Sequence, residues 1–189
     1  HVHPNDHVNM AQSTNDIIPS AGKLTVLKLL LPLFRELERL LNALLEKSKQ
    51  FDHILKMGRT QLQDAVPMRL GQSFHAYASV IQRDIHRLEN AQKEMYRLNM
   101  GGTAIGTAIN VSHSYLQHIC PKIAELTGLP FVSADDLFDA TQNLDGFVTV
   151  SSSLKTCAVN LSKLCNDLRL LSSGPRTGFA EITLPPKQN

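Results

Sequence analysis

Between residues 144 and 172 the side chains repeat every seven positions in two columns. Phe147, Leu154, Leu161 and Leu168 form a large column, and Leu144, Ser151, Ala158, Cys165 and Ser172 form a mostly small one beside it. A seven-residue repeat split into three and four is the pattern of nearly parallel helices packed knobs into holes. Small residues along one column let a neighbouring backbone come close. Val150, Cys157, Leu164 and Leu171 widen the stripe further, so several neighbours are needed to cover it. The pattern predicts one helix from about Ala134 to Asp136, where early carboxylates suit a helix N-terminus, to about Ser172. Such a helix is about 50 Å long, whereas a compact ball of this mass is about 35 Å across. The expected fold is all-α, an elongated bundle of long helices that assembles with sister subunits.

The rest of the chain reads as three further helices. Leu24, Leu27, Leu31, Phe34, Leu37, Leu41 and Leu44 recur at three or four residues and predict a helix from about Thr14 to Gln50, bent at Pro32. Leu70, Phe74, Tyr77, Ile81, Ile85, Leu88, Met95 and Leu98 predict a second, from about Leu70 to Asn99. A short helix from about His113 to Thr127 is expected to stop at Gly128, with Pro130 just beyond.

The 189 residues suit one domain with a real core, and a formal charge of +2 from mixed signs gives no basic stripe for nucleic acid. The stretch "LTVLKLLLPLF" is broken by Lys28 and Pro32, which argues against a membrane span or a signal peptide. Cys120, Cys157 and Cys165 are an odd number without paired spacing, and each lies among apolar neighbours. Buried free thiols in a reducing, cytoplasmic compartment are expected.

Three segments interrupt the helical patterns with hydroxyls, amides and glycines: "QSTND" (12–16), "GRTQLQD" (58–64) and "GGTAIGTAIN" (101–110). Such groups can hold a carboxylate by number of hydrogen bonds, assisted by the positive end of a helix. Each also has a plainer use. Ser13 or Thr14 can cap the first helix, Thr60 and Gln61 can satisfy a connecting loop, and the glycines can simply turn the chain. Spacing alone leaves both readings open. His3 and His7 stand four apart like metal ligands on a helix, but Pro4 interrupts that helix and no metal site is expected. His53, His75, His86, His113 and His118 have no common partner and are expected at the surface. No signature of a nucleophilic triad or a phosphate loop is present.

Taken in order, "HPNDHVNMAQSTND", "GRTQLQDAVPMRLGQ", "GGTAIGTAIN" and "LSSGPRTGFAEITLP" resemble the fumarase/aspartase superfamily over the whole chain. "ILKMGRTQLQDAVPM" and "SADDLFDATQN" are closer to its aspartate ammonia-lyase branch than to its class II fumarases. The resemblance implies reversible anti elimination from a four-carbon dicarboxylate, with the charge on the deprotonated intermediate held by aimed donors. It implies no cofactor. It implies that Ser13, Thr14 and Asn15 bind a substrate carboxylate and amino group, and that Thr60 and Gln61 form a second arm supplied by another subunit of a homotetramer. His3, Asn5 and Asp6 match a secondary dicarboxylate site of fumarases. In this family the base is a serine on a loop that follows "EITLPPKQN". No catalytic base is therefore expected within residues 1–189, which match the family's central helical domain and lack its N- and C-terminal domains. By itself this stretch is expected to be inactive. A class II fumarase, or a scaffold of the same fold without catalysis, are the alternatives. Ser73 stands where the family usually has Glu.

Overall fold

The computed structural model describes residues 1–186; the end of "EITLPPKQN" lies outside the described residues. The fold is all-α, with two small pairs of strands. In chain order the elements are α1 (Thr14–Gln50), β1 (Leu55–Thr60), β2 (Gln63–Arg69), α2 (Leu70–Ala91), β3 (Arg97–Leu98), α3 (His113–Thr127), β4 (Val132–Ser133), α4 (Leu137–Gln142) and α5 (Asp145–Leu171). The described residues gather into two compact units, residues 1–33 with 88–152 and residues 34–87 with 153–186.

The helix α1 has the bounds its leucine spacing predicts and continues through Pro19 and Pro32. Its 37 residues rise about 55 Å. One 18-residue window of α1 has a mean hydropathy of 1.5 and so reaches the length and composition of a membrane span, with 22% of it buried inside the chain. The apolar side chains are divided between two faces. Leu27, Leu30, Leu37 and Leu44 are buried, whereas Ile18 and Leu29, eleven residues or three turns apart on one side, are each 66% exposed.

In the first unit, Leu27, Ala91, Met95, Leu98, Met100, Cys120, Phe131 and Val150 form one core cluster. Truncating a leucine such as Leu27 there typically costs about 2–5 kcal/mol. Helix α2 ends at Ala91, earlier than predicted; Gln92–Tyr96 tighten into a 3₁₀ turn, and Arg97–Leu98 run extended to pair in parallel with Val132–Ser133. Met95 and Leu98 keep the apolar spacing because they face the core, so the spacing reports burial and not helix. Helix α3 begins and ends as predicted. Ser112 accepts from the Tyr115 N–H at one end, and Gly128 takes a left-handed conformation with φ of 69° at the other.

The last predicted helix is divided. Asp136 caps α4 by accepting from the N–H groups of Phe138 and Asp139, and Asn143, extended at φ −113°, ends it. Its side-chain amide donates back to Asp139 at 2.6 Å, and α5 starts afresh at Asp145. The column that α5 buries is Val150, Cys157, Leu164 and Leu171. The small column is open: Ser151, Ala158 and Cys165 are exposed. Cys165 is thus a free thiol at the surface, contrary to expectation, while Cys120 and Cys157 are buried and free.

In the second unit α2 buries Leu70, Phe74, Tyr77, Ala78, Ile81 and Ile85. Phe74 lies between Phe51 and Tyr77, with ring centroids 5.3 and 5.9 Å away. Asp84 is fully buried there, accepting both side-chain amide bonds of Asn160 at 2.9 Å and pairing with Arg87.

Candidate functional site

The three polar segments take three different structures. "QSTND" is the N-terminus of α1. Ser13 is its cap: its carbonyl accepts from the Ile17 N–H at 3.0 Å, and its hydroxyl accepts from the Asn15 N–H at 3.2 Å. Capping uses lone pairs of the hydroxyl and leaves its proton free to donate. The cap and an anion contact are therefore compatible at Ser13. Thr14 and Asn15 are exposed in the first turn. The Asn15 amide donates to the Ala104 carbonyl at 2.7 Å, and its Oδ1 accepts a long bond from the Thr14 hydroxyl at 3.5 Å.

"GRTQLQD" is a β-hairpin, where a helix connection was expected. β1 and β2 pair antiparallel in register Thr60 with Gln63 and Arg59 with Asp64, with an irregularity between Met57 and Arg59. Gln61 and Leu62 form the two-residue turn, both at positive φ, 49° and 64°. A two-residue hairpin turn of this hand matches strand twist but normally takes Asn or Gly. Two side-chain-bearing residues held there are strained, and such strain persists where the surroundings fix it. Thr60 and Gln61 are exposed at the tip.

The hairpin is fixed at its base. The Arg59 guanidinium donates to Glu181 at 2.5 Å, lies 4.0 Å from the Phe179 ring centroid and approaches Asp64 at 3.5 Å; Lys56 reaches the other Glu181 oxygen at 3.1 Å. Burial pushes the Glu181 carboxyl up, but hydrogen bonds and charge from Arg59 and Lys56 outweigh it and hold it below the ordinary glutamate range. Sequence reading did not single out Glu181 or Phe179. The surplus of basic residues in β1 was the available signal.

Ser73 lines a cavity of about 380 Å³ with Gln61, Tyr77, Lys163 and Asp167 among its walls. A glutamate at this position would add a carboxylate to that wall. Lys163 pairs with Asp167, which also accepts from the Tyr77 hydroxyl at 3.1 Å.

"GGTAIGTAIN" is a turn closed over α1 by Asp16. This aspartate is fully buried and takes N–H groups from Ser13, Gly101 and Thr103 at 2.9, 3.1 and 3.2 Å. "HPND" is one π-helical turn, Pro4–Val8. The His3 ring accepts from the Asp6 N–H and the His7 ring from the His3 N–H, so two of its imidazoles are occupied locally. His3, Asn5 and Asp6 are all exposed. Among the described residues no three His, Cys, Asp or Glu side chains gather as a metal site. His53, His75, His86, His113 and His118 are at the surface, as expected.

The structure thus gathers Ser13, Thr14 and Asn15 in one unit and Thr60 and Gln61 in the other. All five offer hydrogen bonds, and none titrates near neutral pH. They can hold an anion by number of hydrogen bonds.

Residues 1–189 match the family model described as lyase. The chain belongs to this lyase family. It is 50% identical over 188 residues to the aspartate ammonia-lyase of Bacillus subtilis, covering all of this chain and 40% of that protein. It is 54% identical over 186 residues to that of Helicobacter pylori, covering 98% of this chain and 40% of that protein. Among solved structures, a fumarate lyase:delta crystallin of Brucella melitensis bound to cobalt superposes with a TM-score of 0.97 at 46% identity, covering all of this chain and 41% of that one. The class II fumarase of Schistosoma mansoni follows with 0.89 at 36%, covering 94% and 40%. The chain spans about 40% of the length of the curated relatives it matches.

Proposed function

We propose that this lyase-family chain is part of an aspartate ammonia-lyase, which eliminates ammonia from L-aspartate to give fumarate. The observation that carries the reading is the N-terminus of α1. There, Ser13 keeps a hydroxyl proton to donate beside the positive end of a 37-residue helix, and the exposed Thr14 hydroxyl and Asn15 Oδ1, joined only at 3.5 Å, add a donor and an acceptor. A carboxylate suits the donors and an ammonium suits the acceptor. Identity of 45–54% to aspartate ammonia-lyases favours ammonia over water as the leaving group.

In this reading Thr60 and Gln61, on the strained hairpin tip, bind the second carboxylate. His3, Asn5 and Asp6 form a secondary dicarboxylate site. The base in this reading is the serine of the loop that the family carries after "EITLPPKQN". Deprotonation next to a carboxylate builds further charge on it, and fixed donors stabilise that charge without reorganising.

We further propose a cytoplasmic homotetramer whose sites combine arms from different subunits. Support comes from apolar residues left outside the chain's own core on both long helices. Ile18 and Leu29 on α1, and Val148 and Val159 on α5, lie eleven residues apart in each case and are 60–66% exposed. Partner helices covering these stripes also account for the hydropathy of α1 without a bilayer. Incubating the full-length protein with fumarate and ammonia, and resolving the products by NMR, tests the chemistry. Aspartate is expected; malate alone would make the protein a fumarase.

A further inference from the structure

The geometry points to Asp16 and Asn99 as positioning residues that lock the "QSTN" donors onto the "GGTAIG" turn and so set the geometry of the carboxylate site. This inference rests on the binding role proposed for Ser13, Thr14 and Asn15.

Both side chains are almost wholly inaccessible, at 0% and 1% exposure, and both bond to the donor-bearing segment. Asp16 Oδ1 accepts from the Ser13 N–H, while Oδ2 accepts from the N–H groups of Gly101 and Thr103. The Asn99 amide donates to the Asn15 carbonyl at 2.9 Å and to the Thr141 hydroxyl at 3.0 Å, and its oxygen accepts from Ser20 at 3.4 Å. Asn15 itself bonds to Ala104 within the same turn. Ser13 and Asn15 are thus each held at the backbone, Ser13 by its N–H and Asn15 by its carbonyl.

The turn is kept in a shape it would not choose. Thr103 has a φ of 59°, a genuine outlier for a β-branched residue, and its N–H is one of those bonded to Asp16. Gly106, at φ 92°, has no room for a side chain, since a Cβ would fall 2.4 Å from Phe138 Cα. A helix cap needs only Ser13 and the first-turn N–H groups. Three donors from two segments converging on one carboxylate go beyond capping and fix the segments against each other. Displacing a binding group by about 1 Å can cost roughly a hundredfold in rate.

The test is Asp16→Asn in the full-length enzyme. Asparagine keeps the size but replaces one acceptor oxygen with a donor that must face an N–H. The control is Asp84→Asn, equally buried in the other unit and bonded to Asn160 and Arg87. Both variants should melt earlier. Only Asp16→Asn is expected to raise KM for L-aspartate, and the Kd of fumarate, about tenfold or more. Unchanged binding in a destabilised Asp16→Asn would overturn the proposal. Adding Thr103→Gly relieves the strained φ, so the double variant should recover melting temperature and keep the raised KM. Recovery of both would reduce Asp16 to a structural role. Should the wild type not turn over L-aspartate, the elimination reading fails, and amide hydrogen exchange decides the positioning. Residues 12–16 and 101–104 should exchange about tenfold faster in Asp16→Asn and unchanged in Asp84→Asn; equal exchange in both variants would sink it.

Discussion

Arg59 and Glu181, 122 residues apart in sequence, meet at 2.5 Å with the guanidinium lying over Phe179. The pair fastens the hairpin to the segment that follows α5. Arg59→Ala removes the ion pair and the ring contact, leaving Glu181 with Lys56 alone. A loss of about 2 kcal/mol is expected in denaturant unfolding. Arg59→Lys should recover only part of it, because an ammonium lacks the planar fork.

The same carboxylate makes stability depend on acid. The Glu181 pKa is lower folded than unfolded, so its contribution is fully present above the unfolded value and is lost as pH falls through the folded one. Thermal melts taken downward from about pH 5 should show a steeper fall for wild type than for Glu181→Gln.

The hairpin turn offers a change that raises stability. Leu62 has a φ of 64° and is 65% exposed, so Leu62→Gly relieves the left-handed strain without losing buried area. A gain of up to about 1 kcal/mol is expected in the melting curve, with KM unchanged. Gln61→Gly should relieve similar strain and raise KM, which separates the two tip residues.

Close packing sets a further limit at the start of α2. A Cβ on Gly71 would lie 2.4 Å from the Ser48 carbonyl oxygen and 2.7 Å from Asp52 Cα, both backbone atoms that cannot swing aside. Gly71→Ala should therefore cost about 2–3 kcal/mol, read by urea unfolding.

Much of this architecture is legible in the sequence, and the omissions have physical causes. Helix α1 follows from leucine spacing, and the end of α3 from Gly128 with Pro130 just beyond; its Ser112 cap was not read. The seven-residue repeat in α5 is real, but the column this chain buries runs through Val150 and Cys157. The small column is exposed, so composition ranks columns for close approach without saying which partner makes it. The break before α5 carried its own signal in "QNLDG", whose Asn143 bonds back to Asp139. The carboxylates at Asp135 and Asp136, read as the N-terminus of the long helix when Asp136 caps the short α4, hid that break. The hairpin escaped because its turn is Gln61-Leu62, without the Asn or Gly that marks such turns. At the site, the donors were visible as residue types, whereas the convergence of Gly101 and Thr103 on Asp16 depends on contacts over 85 residues or more.

The most direct test of the lyase activity is release of fumarate from L-aspartate by the full-length protein, followed by ultraviolet absorbance. Residues 1–189 alone and full-length Ser13→Ala serve as comparisons. A kcat/KM in the enzymatic range, about 10⁴ M⁻¹s⁻¹ or more, is expected, reduced at least tenfold by Ser13→Ala and negligible for residues 1–189. No fumarate above background from the full-length protein, or undiminished turnover after Ser13→Ala, would contradict it.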